Sequence, residues 1–180
     1  EQYKAVTTGA GAFIASAMCY LRVSGADAGA LLDMLSPRTV SDLPVNEARF
    51  IVFTTPAGTV DEEAVVVRTG PSEFMMSCGG GKQPGWLALM AKKFDDVMIQ
   101  PSGVLSFNIK GPQRLSAVQS LVCEDYQDKI ASLSSFQSCL VKTLVGGEAR
   151  IVRSIIGYEV WAASDVLVAV WKQLVVDRPS

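Results

Sequence analysis

The chain has 180 residues, of which 49% are apolar and 19% charged, so it carries enough apolar side chains to fold around a core and its composition does not indicate disorder. The net charge is −2 and the basic residues do not cluster, which argues against nucleic acid as a partner. The sequence contains no histidine, and this excludes His-dependent catalytic triads and His-ligated metal sites.

The first half of the chain predicts one strand and helix followed by an antiparallel meander. Residues 19–23 alternate as a strand does, and residues 26–35 place apolar side chains at helical spacing. Three β-rich runs follow, at residues 48–54, 63–68 and 73–78.

The second half continues as a mixture of helices and strands. The predicted helices are residues 86–94, 113–122 and 164–176, and the predicted strands are residues 96–100, 104–109, 136–144, 149–154 and 158–161. Because strands follow one another instead of alternating with helices, the order predicts an α+β fold with antiparallel sheets. Two interlocked ferredoxin-like lobes fit it best, and we expect a single domain over residues 1–180.

The cysteines indicate neither a metal site nor a redox motif of the C-x-x-C type. They are widely spaced, at Cys19, Cys78, Cys123 and Cys139. Such thiols are typical of a cytoplasmic protein with reduced, mostly buried cysteines. The most apolar stretch, at residues 166–176, is too short to cross a membrane. A cytoplasmic location without a membrane partner is therefore expected.

Gly79-Gly80-Gly81-Lys82 is reminiscent of a phosphate-binding loop. Gln83 follows the lysine where that motif needs Ser or Thr. We therefore predict a turn between a strand and a helix here.

Acidic residues occur at two places where strands are expected. Asp61-Glu62-Glu63 follows the turn at Gly58, where the choice lies between a solvated hairpin end and a carboxylate that binds an amine or moves a proton. Glu159 lies between Tyr158 and Val160 in an apolar strand. It is either an edge residue or, facing a cavity, an acceptor for the paired N–H groups of a planar heterocycle such as a pterin.

Together these motifs resemble the aminomethyltransferase family, which includes the glycine-cleavage T-protein and folate-dependent demethylases. The resemblance extends over nearly the whole chain and is carried by residues 21–28, 58–62, 107–112 and 153–160. It implies a central channel that binds tetrahydrofolate and a reaction that moves a one-carbon unit to or from an amine or methylated small-molecule substrate.

The resemblance also implies roles for individual residues. Glu159, with Tyr158 before it, matches the family's pterin-binding glutamate. Asp61 and Glu62 match the acidic position near the reacting folate nitrogens, and two further cofactor-binding positions fall at Phe50 and Ser77. No metal is implied. Full members of the family close the channel with a C-terminal barrel domain that these 180 residues do not include, so a second copy or a partner chain would have to complete the pocket.

Two other functions fit the same residues. The chain resembles the small γ chain of heterotetrameric sarcosine oxidases, which would make it a non-catalytic subunit of an oxidase. Alternatively, the apolar pairs Ile155-Ile156 and Met75-Met76 fit an enzyme that binds a hydrophobic small molecule without folate.

Overall fold

A computed structural model describes residues 2–15, 17–79 and 83–175. Its helices are α1 Gln2–Thr8, α2 Ala28–Leu35, α3 Gln83–Ala91, α4 Arg114–Gln119, α5 Gln127–Ala131 and α6 Ser164–Val175. Its strands are β1 Gly11–Ile14, β2 Met18–Ser24, β3 Ala48–Thr54, β4 Val60–Gly70, β5 Glu73–Gly79, β6 Met98–Pro101, β7 Val104–Lys110, β8 Ser138–Lys142, β9 Glu148–Arg153 and β10 Gly157–Ala163.

The chain divides into two compact units. The terminal unit consists of residues 1–16 and 104–180, and the inserted unit consists of Ala17–Gly103. Each unit has one five-stranded antiparallel sheet, so the predicted α+β class with antiparallel sheets is confirmed.

The terminal unit packs α4, α5 and α6 against one face of its sheet, whose strand order is β1-β7-β10-β9-β8. Its core combines strand residues such as Phe107, Ile151 and Val160 with Val118 and Val170 from the helices. Because side chains alternate along a strand, the residues between these core positions lie on the opposite face of the sheet. That opposite face holds the first part of the candidate site.

The inserted unit is built in the same way. Its sheet has the order β3-β4-β5-β2-β6, and α2 and α3 cover one face. The apolar side of α2, including Leu31 and Leu32, packs against strand residues such as Ile51, Val66 and Met76, which are fully buried. The helices therefore leave the alternate residues of β2 to β5 on the other face.

Several element boundaries differ from the predicted ones. Helix α3 occupies Gln83–Ala91 instead of residues 86–94. It has Pro84 in its first turn. It ends where the amides of Lys93 and Phe94 bond to the carbonyl three residues earlier instead of four. Helix α1, strand β1 and the short helical segment from Glu124 to Ala131 are not predicted by the sequence patterns. Helix α1 and strand β1 have only seven and four residues, and the segment from Glu124 to Ala131 buries only Ile130, so none of them shows a clear apolar period. Gly80 to Lys82, most of the glycine turn considered above, lies outside the described residues.

The described residues provide neither a membrane-spanning helix nor a metal-binding cluster. None of their helices is long and apolar enough to span a membrane. Among residues 2–15, 17–79 and 83–175, no three acidic or cysteine side chains are grouped so that they could hold a metal ion.

Candidate functional site

Glu159 is the central residue of the candidate site in the terminal unit. It lies on β10, between the core residues Tyr158 and Val160, so its side chain points away from the helices. Strand pairing places it opposite Asn108 of β7 and Val152 of β9. β10 is thus a central strand, and the edge position considered from the sequence does not apply.

Two groups act on the Glu159 carboxylate. Trp161, two residues further along β10 and therefore on the same face, donates its indole N–H to Glu159 Oε2 at 2.9 Å. Burial raises the pKa of the Glu159 carboxyl above its ordinary value, whereas the Trp161 hydrogen bond and the positive charge of Lys110 act in the opposite direction. A half-buried carboxylate with one oxygen fixed in this way is suited to bind a ligand with its other oxygen.

The neighbouring strands extend this surface. Asn108 and Lys110 alternate with Phe107 and Ile109 along β7, so they share the face of Glu159. Phe13 of β1 lies opposite Asn108, and the Lys110 ammonium sits 4.7 Å from the centre of the Phe13 ring. An amide, a cation and an exposed aromatic ring therefore flank the carboxylate.

Tyr158 lies on the other side of the sheet. It is buried in the core of the terminal unit, and the Arg153 guanidinium stacks over its ring at 4.6 Å. Alternation along β10 thus separates Tyr158 from Glu159, and the tyrosine side chain does not share the surface described above.

The remaining candidate residues belong to the inserted unit. Phe50 lies opposite Val65, and Val65 lies opposite Ser77, so the three form a row across β3, β4 and β5. This row lies on the face of the sheet away from α2 and α3. Ser77 is buried, and the Phe50 carbonyl accepts a hydrogen bond from Arg38 at 3.0 Å.

The acidic pair is divided by a β-bulge. The pairing of β3 with β4 shifts between Glu62 and Val60, which leaves Asp61 as the extra residue. Asp61 is exposed, whereas Glu62 is half-buried and accepts a hydrogen bond from the Glu63 amide at 2.9 Å. The two carboxylates therefore occupy different surroundings.

Glu62 shares its surroundings with a pair of thiols. A side chain at Gly79 would overlap the Glu62 carboxylate, so glycine leaves the space that this carboxylate occupies. Burial, together with Cys19 and the negative charge of Glu62, raises the pKa of the Cys78 thiol to about 12. The Glu62 carboxylate thus lies beside the end of β5.

Sequence reasoning assigned no role to Asn108, Lys110, Phe13 or Trp161. One signal was available for the first two, because they alternate with Phe107 and Ile109 and mark a polar face on an otherwise apolar strand. Phe13 had no such signal, since the placement of β1 beside β7 depends on pairing between distant parts of the chain.

Comparisons with known proteins agree with this architecture. The family model described as the GCVT N-terminal domain matches residues 1–178. The aminomethyltransferase of Bacillus cytotoxicus is 24% identical over 97% of this chain and 48% of its own length. That of Thermotoga petrophila is 28% identical over 86% of this chain and 42% of its own length. The chain thus spans about half the length of these relatives.

Two solved structures share the fold. The glycine cleavage system aminomethyltransferase T from Bartonella henselae superposes with a TM-score of 0.82 at 18% identity, over 98% of this chain and 48% of that one. A chain of the heterotetrameric sarcosine oxidase from Corynebacterium sp. U-96 superposes with a TM-score of 0.61 at 11% identity, over 99% of this chain and 93% of that one. The chain belongs to the GCVT N-terminal domain family.

Proposed function

We propose that the chain binds tetrahydrofolate and takes part in one-carbon transfer to or from an amine or methylated substrate. The observation that carries this proposal is Glu159, a half-buried carboxylate on a central strand, in a family whose other members include aminomethyltransferases. Bound folate would carry the one-carbon unit on its reacting nitrogens. The protein's own residues bind and orient the reactants.

The residues around Glu159 fit such a ligand. Trp161 occupies Oε2 of the carboxylate, so Oε1 remains suited to accept an N–H group of a pterin ring. The Asn108 amide can donate and accept hydrogen bonds, and the exposed Phe13 ring offers an apolar surface to a planar heterocycle. Charge-assisted hydrogen bonds to Glu159 would fix the orientation of the ring.

The acidic pair is the proposed site of proton transfer. A carboxylate near the reacting amine can hold a cationic nitrogen or exchange its proton. Asp61 is exposed on the bulge and Glu62 is half-buried, so the two carboxylates differ in their access to solvent. Phe50 and Ser77, which lie in one row across β3, β4 and β5, are proposed to contribute to the binding surface.

The binding step is tested by anaerobic calorimetric titration with tetrahydrofolate. We expect saturable binding to the wild type and affinity about 10- to 100-fold lower for Glu159→Gln, since hydrogen bonds to a charged group contribute roughly 1.5–3 kcal/mol. Glu148→Gln is the matched control, because Glu148 is exposed on β9 of the same sheet. Equal affinity in the wild type and Glu159→Gln, or no binding to either, contradicts the proposal.

The transfer step needs a separate assay. The double variant Asp61→Asn, Glu62→Gln should lose transfer of a one-carbon unit from a methylated amine to tetrahydrofolate while it still binds tetrahydrofolate. Unchanged turnover in this variant would remove the proposed role of the acidic pair.

A second candidate function is that of a subunit in a larger oxidase. The similarity to the sarcosine oxidase chain covers 93% of that chain, so the two chains have nearly the same length. That protein is described as heterotetrameric. Light scattering at low concentration and affinity capture with a flavin-dependent oxidase from the same genome would test this candidate. The subunit function would be contradicted by a monodisperse monomer that captures no oxidase and catalyses folate-dependent transfer without a partner chain.

A further inference from the structure

Two cysteines of the inserted unit lie directly opposite each other on neighbouring strands. Cys19 of β2 pairs with Cys78 of β5 in the antiparallel register. Both are free thiols, and both belong to or pack against the core of that unit. We propose that Cys19 and Cys78 form a site of reversible oxidative modification, at which a disulfide links β2 to β5.

The strand register already provides the required distance. Directly opposed residues of an antiparallel pair have Cα atoms about 4.5 or 5.5 Å apart, depending on the pair type. Disulfides span Cα separations of about 4.4–6.8 Å, so the Cα separation of either pair type lies within the range that a disulfide bridges. The Cys19 thiol is also close enough to raise the pKa of Cys78.

The two thiols differ in access to reagents. Cys78 is fully buried, whereas Cys19 is half-buried. Burial also raises the pKa of Cys78 to about 12, with Cys19 and Glu62 acting in the same direction. Because the thiolate is the nucleophile in exchange reactions, Cys19 is the residue that attacks first and Cys78 is the resolving residue.

The oxidant is a low-molecular-weight disulfide, such as oxidised glutathione. The Cys19 thiolate attacks one sulfur of the reagent, which forms a mixed disulfide and releases one thiol. Cys78 then loses its proton and attacks the Cys19 sulfur, so that the protein disulfide forms and the second thiol leaves. Two protein thiols are oxidised, one reagent disulfide is reduced to two thiols, and both protons end on the released thiols.

The other two cysteines provide internal controls. Cys139 is buried and lies opposite Ile151, and Cys123 lies 3.8 Å from the Thr143 carbonyl oxygen. Cys139 faces no cysteine in its strand register, and Cys123 lies outside the strands. Selective oxidation of the Cys19–Cys78 pair is therefore attributable to its geometry.

The test treats the folded full chain with oxidised glutathione, alkylates the remaining thiols and maps the peptides without reduction. We expect an intramolecular Cys19–Cys78 bond, free Cys123 and Cys139, and reversal by dithiothreitol. Cys78→Ser should retain a glutathione adduct on Cys19, whereas Cys139→Ser should form the same bond as the wild type. A stable adduct on Cys19 of the wild type, or a bond to Cys123 or Cys139, overturns the proposal.

The bond must also form in the native state. Circular dichroism should show the same secondary structure before and after oxidation, and the midpoint of thermal unfolding should rise in the oxidised protein, since a cross-link restricts the unfolded chain. A bond that forms only in urea would belong to the unfolded chain and would equally overturn the proposal. Because no step of this test uses folate, its outcome is independent of the proposed function.

Discussion

The indole N–H of Trp161 donates a hydrogen bond to Oε2 of Glu159 at 2.9 Å. The two residues are neighbours on one face of β10, because alternate residues of a strand point the same way. The donor stabilises the ionised carboxylate and thereby lowers a pKa that burial raises. Trp161 therefore acts as a positioning residue for Glu159.

Trp161→Phe should raise the pKa of Glu159 further, because the ionised carboxylate loses its donor. Binding that needs the ionised carboxylate is lost as the pH falls through this pKa, so the loss should occur at a higher pH in the variant. Carboxyl NMR of Glu159 measures the pKa directly, and calorimetry at several pH values measures tetrahydrofolate binding. Trp171→Phe is the matched control, because Trp171 packs against Phe107 on the helix side, with 5.4 Å between ring centres. An identical Glu159 pKa in the wild type and Trp161→Phe would contradict this role.

Glu159→Gln should change the pH dependence of stability. The raised pKa means that the folded state holds the carboxyl proton more tightly than the unfolded state. The wild type should therefore lose stability as the pH rises from the ordinary carboxyl range through the folded-state pKa, and the variant should lack this loss. Urea unfolding across that range measures the difference, with Glu148→Gln as control. Parallel curves for the wild type and Glu159→Gln would show that burial of Glu159 carries no such penalty.

The pKa of Asp33 is lowered, in contrast to that of Glu159, so its effect on stability should change with pH in the opposite direction. Burial alone would raise the pKa of its carboxyl, but hydrogen bonds from the Ser41 hydroxyl and from the amides of Val40 and Ser41, together with Arg49, outweigh burial and lower it. Asp33→Asn should reduce the free energy of unfolding by about 1 kcal/mol at neutral pH, because Asp33 is only partly buried and solvent screens its hydrogen bonds.

The pH dependence of stability shows whether Asp33 stabilises the fold through its charge or through packing. With a lowered pKa, the stabilisation is present above the ordinary carboxyl pKa and is lost as the pH falls through the folded-state pKa. The gap between the wild type and Asp33→Asn in urea unfolding should therefore close on acidification. Asp42→Asn removes only an exposed ion pair with Arg49 and should change stability by less than about 1 kcal/mol. A gap of constant size at every pH would assign the Asp33 effect to packing.

Two adjacent glycines in the turn between β8 and β9 separate backbone strain from steric overlap. Gly146 and Gly147 both have positive φ angles, 87° and 78°. A Cβ at Gly146 would meet nothing within 4 Å, whereas one at Gly147 would lie 2.5 Å from a methyl carbon of Val166 in α6. Gly146→Ala should lower the unfolding free energy by about 1–2 kcal/mol, and Gly147→Ala by more. Chemical denaturation measures both, and equal losses would mean that Val166 moves aside without penalty.

Elements with a clear spacing of apolar side chains were predicted from the sequence, whereas very short elements and the direction of some side chains were not. The strand at residues 48–54 was predicted with its observed bounds, and the core helix residues Leu31 and Leu32 follow from helical spacing. Strand β1 was missed because four residues give too little alternation to recognise. Tyr158 and Glu159 were assigned to one ligand, although the period of two along a strand places their side chains on opposite faces.

The sequence by itself determined the α+β class, most of the strands and helices and the unusual acidic residues, because these depend on the spacing of apolar and charged side chains along the chain. Only the tertiary structure decided that Phe13, Asn108 and Glu159 form one row, that a bulge divides Asp61 from Glu62, and that Cys19 faces Cys78. Strand order and register are set by hydrogen bonds between segments far apart in the chain. Local periodicity does not encode those partners.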